Sequence, residues 1–296
     1  MQSNLTSVVI PHYQDLENLG LCLDLLERQT VGRDAFEIII SDNSSPVGIA
    51  AIEAVIRGRA KLVISTVKGA GYTRNVGVEA TRGDILAFMD SDCRPDPNYL
   101  EAGLAALGNY DVVGGRVRVD TARPGHPTAA EAFELVFAFR NKGYIQKKHF
   151  TVTASLFVSR AIFDKVGPFR NDVSEDKEWC LRAHGLGYRL GYADKAVIGH
   201  PARHDWQELQ RKWRRITKES FLLFRTKKFG LLKWLGYSWV VLLAVIPQTL
   251  NVLRSKDVPG LNNKALALGM LVRLRVMRLL WSHQAIFSQW AKGRAE

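Results

Sequence analysis

The chain has 296 residues, 47% of them hydrophobic and 24% charged, enough apolar material for one large or two modest globular units and too much for a disordered or fibrous chain. No period of about 20 to 50 residues recurs, which excludes a solenoid. The net charge of +12 is uneven: residues 200–296 carry 18 Lys/Arg against 5 Asp/Glu, whereas residues 1–199 come to −1, the pattern of a near-neutral domain held against an anionic surface by a basic tail.

The opening MQSNLTSVVIPHY holds neither a basic leader nor an apolar run long enough for export, so a cytoplasmic location is expected. Leu5 to Ile10 is a short apolar run of strand type that stops at Pro11, and Leu16, Leu19, Leu23 and Leu26, spaced by three and four, predict a helix. Phe36 to Ile40 predicts a second strand, then a loop opening SDNSSP and a helix over 49–56. Lys61 to Ser65 reads as a third strand, 72–80 as a helix and 84–89 as a fourth strand. Continuously apolar strands alternating with helices predict an α/β fold, a doubly wound, mostly parallel sheet covered on both faces. Ligands of such sheets bind beyond the carboxyl ends of the strands. Cys22, Cys93 and Cys180 are far apart and form no CxxC pair, which suits reduced thiols and offers no zinc site.

The strand ends are rich in chemistry. Pro11, His12 and Tyr13 follow the first strand, Asp42 to Ser45 the second, Lys68, Gly69, Gly71, Arg74 and Asn75 the third, and Asp90-Ser91-Asp92 the fourth. Asp42 and Ser44 also suit a turn or cap, and Gly69 and Gly71 suit loop punctuation, their spacing being neither Walker nor dinucleotide. In an extended Asp90-Ser91-Asp92 the two carboxylates project to one side and repel unless a cation joins them. Hard oxygen donors of this kind suit Mg²⁺ or Mn²⁺ shared with substrate phosphates, with a solvated strand end as the alternative. Downstream, Ser174 reads as an N-cap with Glu175 and Asp176 in the first turn of a helix running to about His184, where the helix dipole favours negative charge.

In order along the chain, VVIPHY, IIISDNSS, KGAGYTRNVGVEATRGDILAFMDSDCRPDP and VGPFRNDVSEDKEWCLRAHGLGYRL with its later GH resemble the successive signatures of the inverting glycosyltransferases of family 2, of GT-A fold. The resemblance spans residues 5 to about 204. It implies a nucleotide-sugar-binding half over 1–110 and an acceptor-binding half with the catalytic base over 111–205; the change of pattern beyond it gives a helical membrane-associating region over 206–296. Pro11, Tyr13, Asp42, Arg74, Asp90 and Asp92 would bind the nucleotide diphosphate sugar, a UDP-sugar being favoured. Asp42 would read the base, and Asp92 and His200 would hold the metal. Asp176 would be the catalytic base, with Glu175, Thr153 and Ser155 near donor sugar and acceptor. His200 also suits a structural strand end, and Thr153 and Ser155 suit core packing. Gln14 departs from the family's usual asparagine, and Gln210-Arg211-Lys212-Trp213 departs from the QxxRW of processive relatives, so a single sugar addition is implied.

From Trp206 the pattern turns to long helices. Leu209, Trp213, Ile216, Ser220 and Phe224 keep helical spacing while Arg211, Lys212, Arg214, Arg215 and Lys218 crowd the remaining surface. The window 234–253 has no charge and is long enough to span a bilayer, yet Pro247 interrupts it. A single crossing would also export Arg273, Arg275, Arg278, Lys292 and Arg294, against the positive-inside rule. Residues 266–290 mix large apolar residues with arginines, as a surface-lying anchor does. The reading is therefore a cytoplasmic enzyme peripheral on the cytosolic face of an anionic membrane, with a lipid-linked or saccharide acceptor and no nucleic-acid partner. The rivals are a nucleotidyltransferase acting on sugar phosphates, for which VVIPHYQD lacks the basic glycine-rich signature, and a basic scaffold with a vestigial fold of this type.

Overall fold

The computed structural model describes residues 5–171, 174–225 and 228–292. Residues 1–4 of the export argument, Asp172 and Val173 of the VGPFRNDVSEDKEWCLRAHGLGYRL signature, and Arg294 of the charge argument lie outside the described residues. Packing divides the chain into two compact units, residues 1–118 with 139–200, and residues 119–138 with 201–296. These units cut the chain at other points than the functional stretches 1–110, 111–205 and 206–296.

The chain runs β1 (Thr6–His12), α1 (Leu16–Leu26), β2 (Phe36–Asp42), α2 (Ile49–Ile56), β3 (Lys61–Ile64), α3 (Ala70–Glu79), β4 (Ile85–Phe88), β5 (Arg94–Pro95), α4 (Tyr99–Leu107), β6 (Val112–Asp120), α5 (Ala129–Phe137), α6 (Asn141–Lys148), β7 (Leu156–Ser159), α7 (Arg160–Val166), α8 (Glu175–Gly185) and β8 (Leu190–Pro201). Four helices follow: α9 (Trp206–Arg225), α10 (Gly230–Leu243), α11 (Val245–Arg254) and α12 (Leu261–Lys292). The eight strands form one sheet in the order β3-β2-β1-β4-β7-β6-β8-β5. Its β3, β2, β1 and β4 are parallel, as the sequence predicts. From β7 onward the described pairings β4–β7, β7–β6 and β8–β5 are antiparallel.

Alternation along the strands covers both faces of the sheet. Val8, Ile10, Ala87, Met89 and Phe157 join Leu19, Leu23 and Leu26 of α1 and Tyr99 and Leu100 of α4 in one core. Their neighbours Val9, Leu86, Phe88, Leu156 and Val158 join Phe163, Phe169 and Trp179 in the other. Each fully buried large side chain contributes about 1.5–3 kcal/mol relative to exposure.

Two strands run further than the sequence suggests. β1 continues through Pro11 to His12, and β2 through Ser41 to Asp42. The partner β4 pairs with β1 only as far as Val9, while β2 pairs with it to the end. At Pro11 the strand is therefore paired on one side only, and a missing N–H is tolerated there. The extension carries His12 and Asp42 onto paired strand ends in direct register.

The second unit has its own core, in which Ala130, Phe133 and Val136 of α5 pack with Leu209 of α9, Val252 of α11, and Leu271, Leu274 and Trp281 of α12. Thr128 and Glu131 cap α5 reciprocally. Lys212 does not join the surface cations: its Nζ donates to the buried Glu134 at 2.9 Å, as does Arg203. Burial alone would raise the Glu134 pKa, but Lys212 and Arg203 hold it below the ordinary value.

Residues 230–254 form helix long and apolar enough, by length and composition, to cross a membrane, with a mean hydropathy of 1.5. The helix breaks at Ala244, between α10 and α11. Pro247 accounts for the break, because in one continuous helix its ring would meet the carbonyl of Leu243, whereas in the first turn of α11 no donor is needed.

Candidate active site

The first group at the strand ends joins the buried His12 and Asp42 to the half-buried Ser45. His12 Nδ1 donates to Asp42 Oδ1 at 2.8 Å, since a carboxylate can only accept. Asp42 also accepts the Ser45 amide at 2.7 Å and the Ser45 hydroxyl at 2.5 Å. Asp42 is 2% exposed, and His12 Nε2 is buried without a partner among the described residues. Pro11 sits beside this group in β1, while Tyr13 stands out into solvent, 46% exposed.

The space beside Gly69 and Gly71, at the start of α3, is filled by the chain itself. Gly69 has φ +135°, and a Cβ there would lie 2.1 Å from Asn171 Nδ2. Asn171 donates to the Lys68 carbonyl at 3.1 Å and accepts the Tyr72 amide at 3.2 Å, while the Gly69 amide donates to Asn43 Oδ1. Gly69 is the N-cap of α3 and Gly71 lies in its first turn. One turn on, Asn75 and Phe169 exchange two hydrogen bonds, Nδ2 to carbonyl at 2.9 Å and amide to Oδ1 at 3.0 Å. Residues 169–171, just ahead of α8, are thus fastened to α3.

The fastening brings α8 to the end of β4 through Arg74. This guanidinium, 3% exposed, donates to Asp90 Oδ1 at 2.6 Å and to Glu175 Oε1 at 2.9 Å. The resemblance implied a nucleotide contact for Arg74; Nη1 and Nη2 bind these two carboxylates, while Nε is buried without a partner among the described residues. Asp176 is the next residue on the first turn of α8. Ser174 holds the N-cap position but its hydroxyl makes no cap bond, and Asp176 accepts the Lys177 amide at 2.7 Å. Burial and the neighbouring Glu175 push the Asp176 pKa up to about 6, against the Lys177 amide and Arg74.

Asp90 and Asp92 lie together, with ligand-capable atoms of Asp90, Asp92 and Cys93 within 4.8 Å of one another. His200 Nε2, brought in by the pairing of β8 with β5, is 3.5 Å from Asp92 Oδ1. Burial and Asp90 raise the Asp92 pKa, though His200 opposes this, so a further cation beside Asp92 would be favoured even with Arg74 on Asp90. Burial drives the Cys93 thiol well above its ordinary value, which keeps it protonated and leaves oxygen and imidazole as the donors. That donor set fits a hard divalent cation such as Mg²⁺ or Mn²⁺.

Thr153 and Ser155 occupy a single 3₁₀ turn before β7, and both are buried. The Ser155 hydroxyl lies 3.1 Å from Tyr99 Oη and 3.1 Å from the Gly115 amide, so its bonds are internal. The sequence reading assigned no role to His12 and did not notice Asn171. A buried histidine at a strand end facing an aspartate in the paired strand was the available signal for the first. Nothing local distinguishes Asn171.

The profile of Glycosyl transferase family 2 matches residues 7–167, more than half of the chain. The chain belongs to glycosyltransferase family 2. Glycosyltransferase AglE of Haloferax volcanii is 30% identical over 279 residues, covering 92% of this chain and 90% of AglE. The amylovoran biosynthesis glycosyltransferase AmsB of Erwinia amylovora is 32% identical over 208 residues, 62% of this chain and 65% of AmsB. The mannosyltransferase PcManGT of Pyrobaculum calidifontis, solved with GDP-Man and Mn²⁺, superposes with a TM-score of 0.61 at 15% identity over 98% of this chain and 88% of its own. That likeness establishes a GT-A fold for the family 2 chain, with the helical region following it.

Proposed function

We propose that this family 2 glycosyltransferase moves one sugar from a nucleotide diphosphate sugar, a UDP-sugar being favoured, to a lipid-linked or polysaccharide-precursor acceptor with inversion, at the cytosolic face of a membrane. The observation that carries the reading is the Asp90–Arg74–Glu175 bridge, which joins the acidic end of β4 to the first turn of α8 next to Asp176.

Asp90, Asp92 and His200 would hold the divalent cation, with Pro11, Tyr13 and Asp42 toward the nucleotide. When bound, the ion would offset the negative charge of the departing diphosphate. His12 and Ser45 hold the Asp42 carboxylate in one orientation, so whatever it contacts meets a fixed acceptor. Asp176 takes the proton of the acceptor hydroxyl as that oxygen attacks the anomeric carbon from the face opposite the diphosphate. With one carboxylate as base and no covalent intermediate, the anomeric configuration inverts. Thr153 and Ser155 shape the wall near the donor sugar. The AmsB relative, named for amylovoran biosynthesis, supports a polysaccharide-precursor acceptor, and the apolar stretch over 230–254 supports membrane association.

A panel of UDP- and GDP-sugars, assayed for diphosphate release with Mg²⁺, Mn²⁺ or chelator and with or without membrane lipid extract, tests the reading. Metal-dependent release from at least one donor is expected. Release unaffected by chelator would overturn the metal assignment.

A further inference from the structure

The second unit contains a cavity of about 760 Å³ between α9 and α12, within the size range of small-ligand sites. Arg211, Arg214, Arg215, Lys218 and Arg225 line it from α9, and no carboxylate is among its lining residues. Four of these cations stand at i, i+3, i+4 and i+7 of one helix face, where like charges repel. The nearest relief is the exposed Arg215–Glu219 pair at 3.7 Å, which contributes little. The buried acids of this unit point elsewhere, Glu134 engaged by Arg203 and Lys212 and Glu131 by the Ala122 and Thr128 amides. The cluster over Arg211, Arg214, Arg215 and Lys218, with no carboxylate among the cavity's described lining residues, complements a phosphate through its forked guanidinium donors.

The surroundings identify where that phosphate resides. Phe221 and Leu222 bring apolar surface to the cavity, and Leu222 is exposed. Phe221 and Phe224 of α9 also pack on Trp234 of α10. From there Leu232, Trp239, Leu243, Ile246, Leu250 and Leu253 recur at helical spacing along α10 and α11, all exposed, Leu232 and Ile246 by about 70%. Exposed apolar helix surface in the same unit as a cation cluster is what an anchor lying in a membrane interface presents.

We infer that this cavity binds the terminal phosphate of a membrane lipid, with the exposed face of α10 and α11 lying among the acyl chains. The inference rests on the membrane-surface reading above and narrows it from diffuse attraction to a site. A terminal phosphate carries close to two charges at neutral pH, whereas a bridging phosphodiester carries one, so a built site prefers the former when surface charge is equal.

The test is flotation of the full chain with phosphatidylcholine vesicles doped with phosphatidate or with phosphatidylglycerol at matched surface charge. The parent protein is expected to bind phosphatidate vesicles roughly tenfold more tightly. The pair Arg214→Gln with Lys218→Gln removes that preference, and the equal-charge control Arg254→Gln with Lys256→Gln keeps it, both variants retaining the parent circular dichroism. A preference that survives in the cavity variant, or disappears equally in the control, overturns the site and leaves the membrane reading standing. Parent protein that floats with no vesicle overturns both. Soluble glycerol phosphate is expected to compete for the site; its binding with no preference for phosphatidate vesicles over phosphatidylglycerol ones, or capture of a single-stranded RNA in place of vesicles, overturns the lipid assignment.

Discussion

Arg74 and Glu175, 101 positions apart in the chain, meet at 2.9 Å, and the same guanidinium holds Asp90 at 2.6 Å. One buried cation thus fixes the spacing between the end of β4 and the helix that carries Asp176. Arg74→Met leaves two carboxylates facing each other without it. Loss of a fully buried ion-pair partner costs about 3–5 kcal/mol, and because the side chains of Asp90 and Glu175 are 31% and 24% exposed, about 2–3 kcal/mol is expected here. Urea unfolding measures it. Arg74→Lys, which keeps charge but not the fork, is expected to recover part of the stability and little of the transfer rate.

The pH dependence follows from Asp176. With its pKa raised to about 6 by burial and Glu175, the base is ionised above that pH and protonated below it. The rate of transfer should level off above pH 6 and fall about tenfold per pH unit well below it. Glu175→Gln removes the neighbouring negative charge and should move this limb toward acid. A profile flat from pH 5 to pH 8 would contradict the assignment.

Asp92→Ala removes one carboxylate from the acidic end of β4 and leaves His200 without that neighbour. Metal-dependent donor binding, measured calorimetrically, is expected to vanish, while thermal stability in chelator changes little or rises, because Asp90 loses a repelling charge.

Gly69→Ala places a methyl group on Asn171 at a φ of +135°, disfavoured for any L side chain. A loss of about 2–3 kcal/mol is expected. Gly58→Ala, also at positive φ but with open space around the new Cβ, should cost about 1 kcal/mol. Equal losses in the two variants would mean that Asn171 does not fasten residues 169–171 to α3.

The parallel half of the sheet was legible because its strands are continuously apolar and its helices keep a clean three-four spacing, as in Leu16 to Leu26. The Asp90-Ser91-Asp92 pair and Asp176 were legible by type and order. The clamp between them was not, because Arg74, Asn75 and Asn171 act through partners about a hundred positions away, which no local pattern records. The ends of β1 and β2 were misread for a related reason: Pro11 looks like a strand terminator until it is known that β4 stops pairing at Val9. In the tail, the inward turn of Lys212 depends on Glu134 of α5, and the packing of α5 with α9 and α12 is a tertiary choice that amphipathic spacing alone leaves open.

The central claim is that Asp176 deprotonates the acceptor in an inverting transfer from a donor held at Asp90 and Asp92. The most direct measurement is single-turnover transfer by Asp176→Asn, with donor affinity taken in parallel and the anomeric configuration of the parent product read by NMR. The expected result is donor affinity within about twofold of the parent, transfer slower by about 10²–10⁴-fold, and an inverted product. Transfer by the Asn variant at the parent rate, or a product of retained configuration, would contradict it.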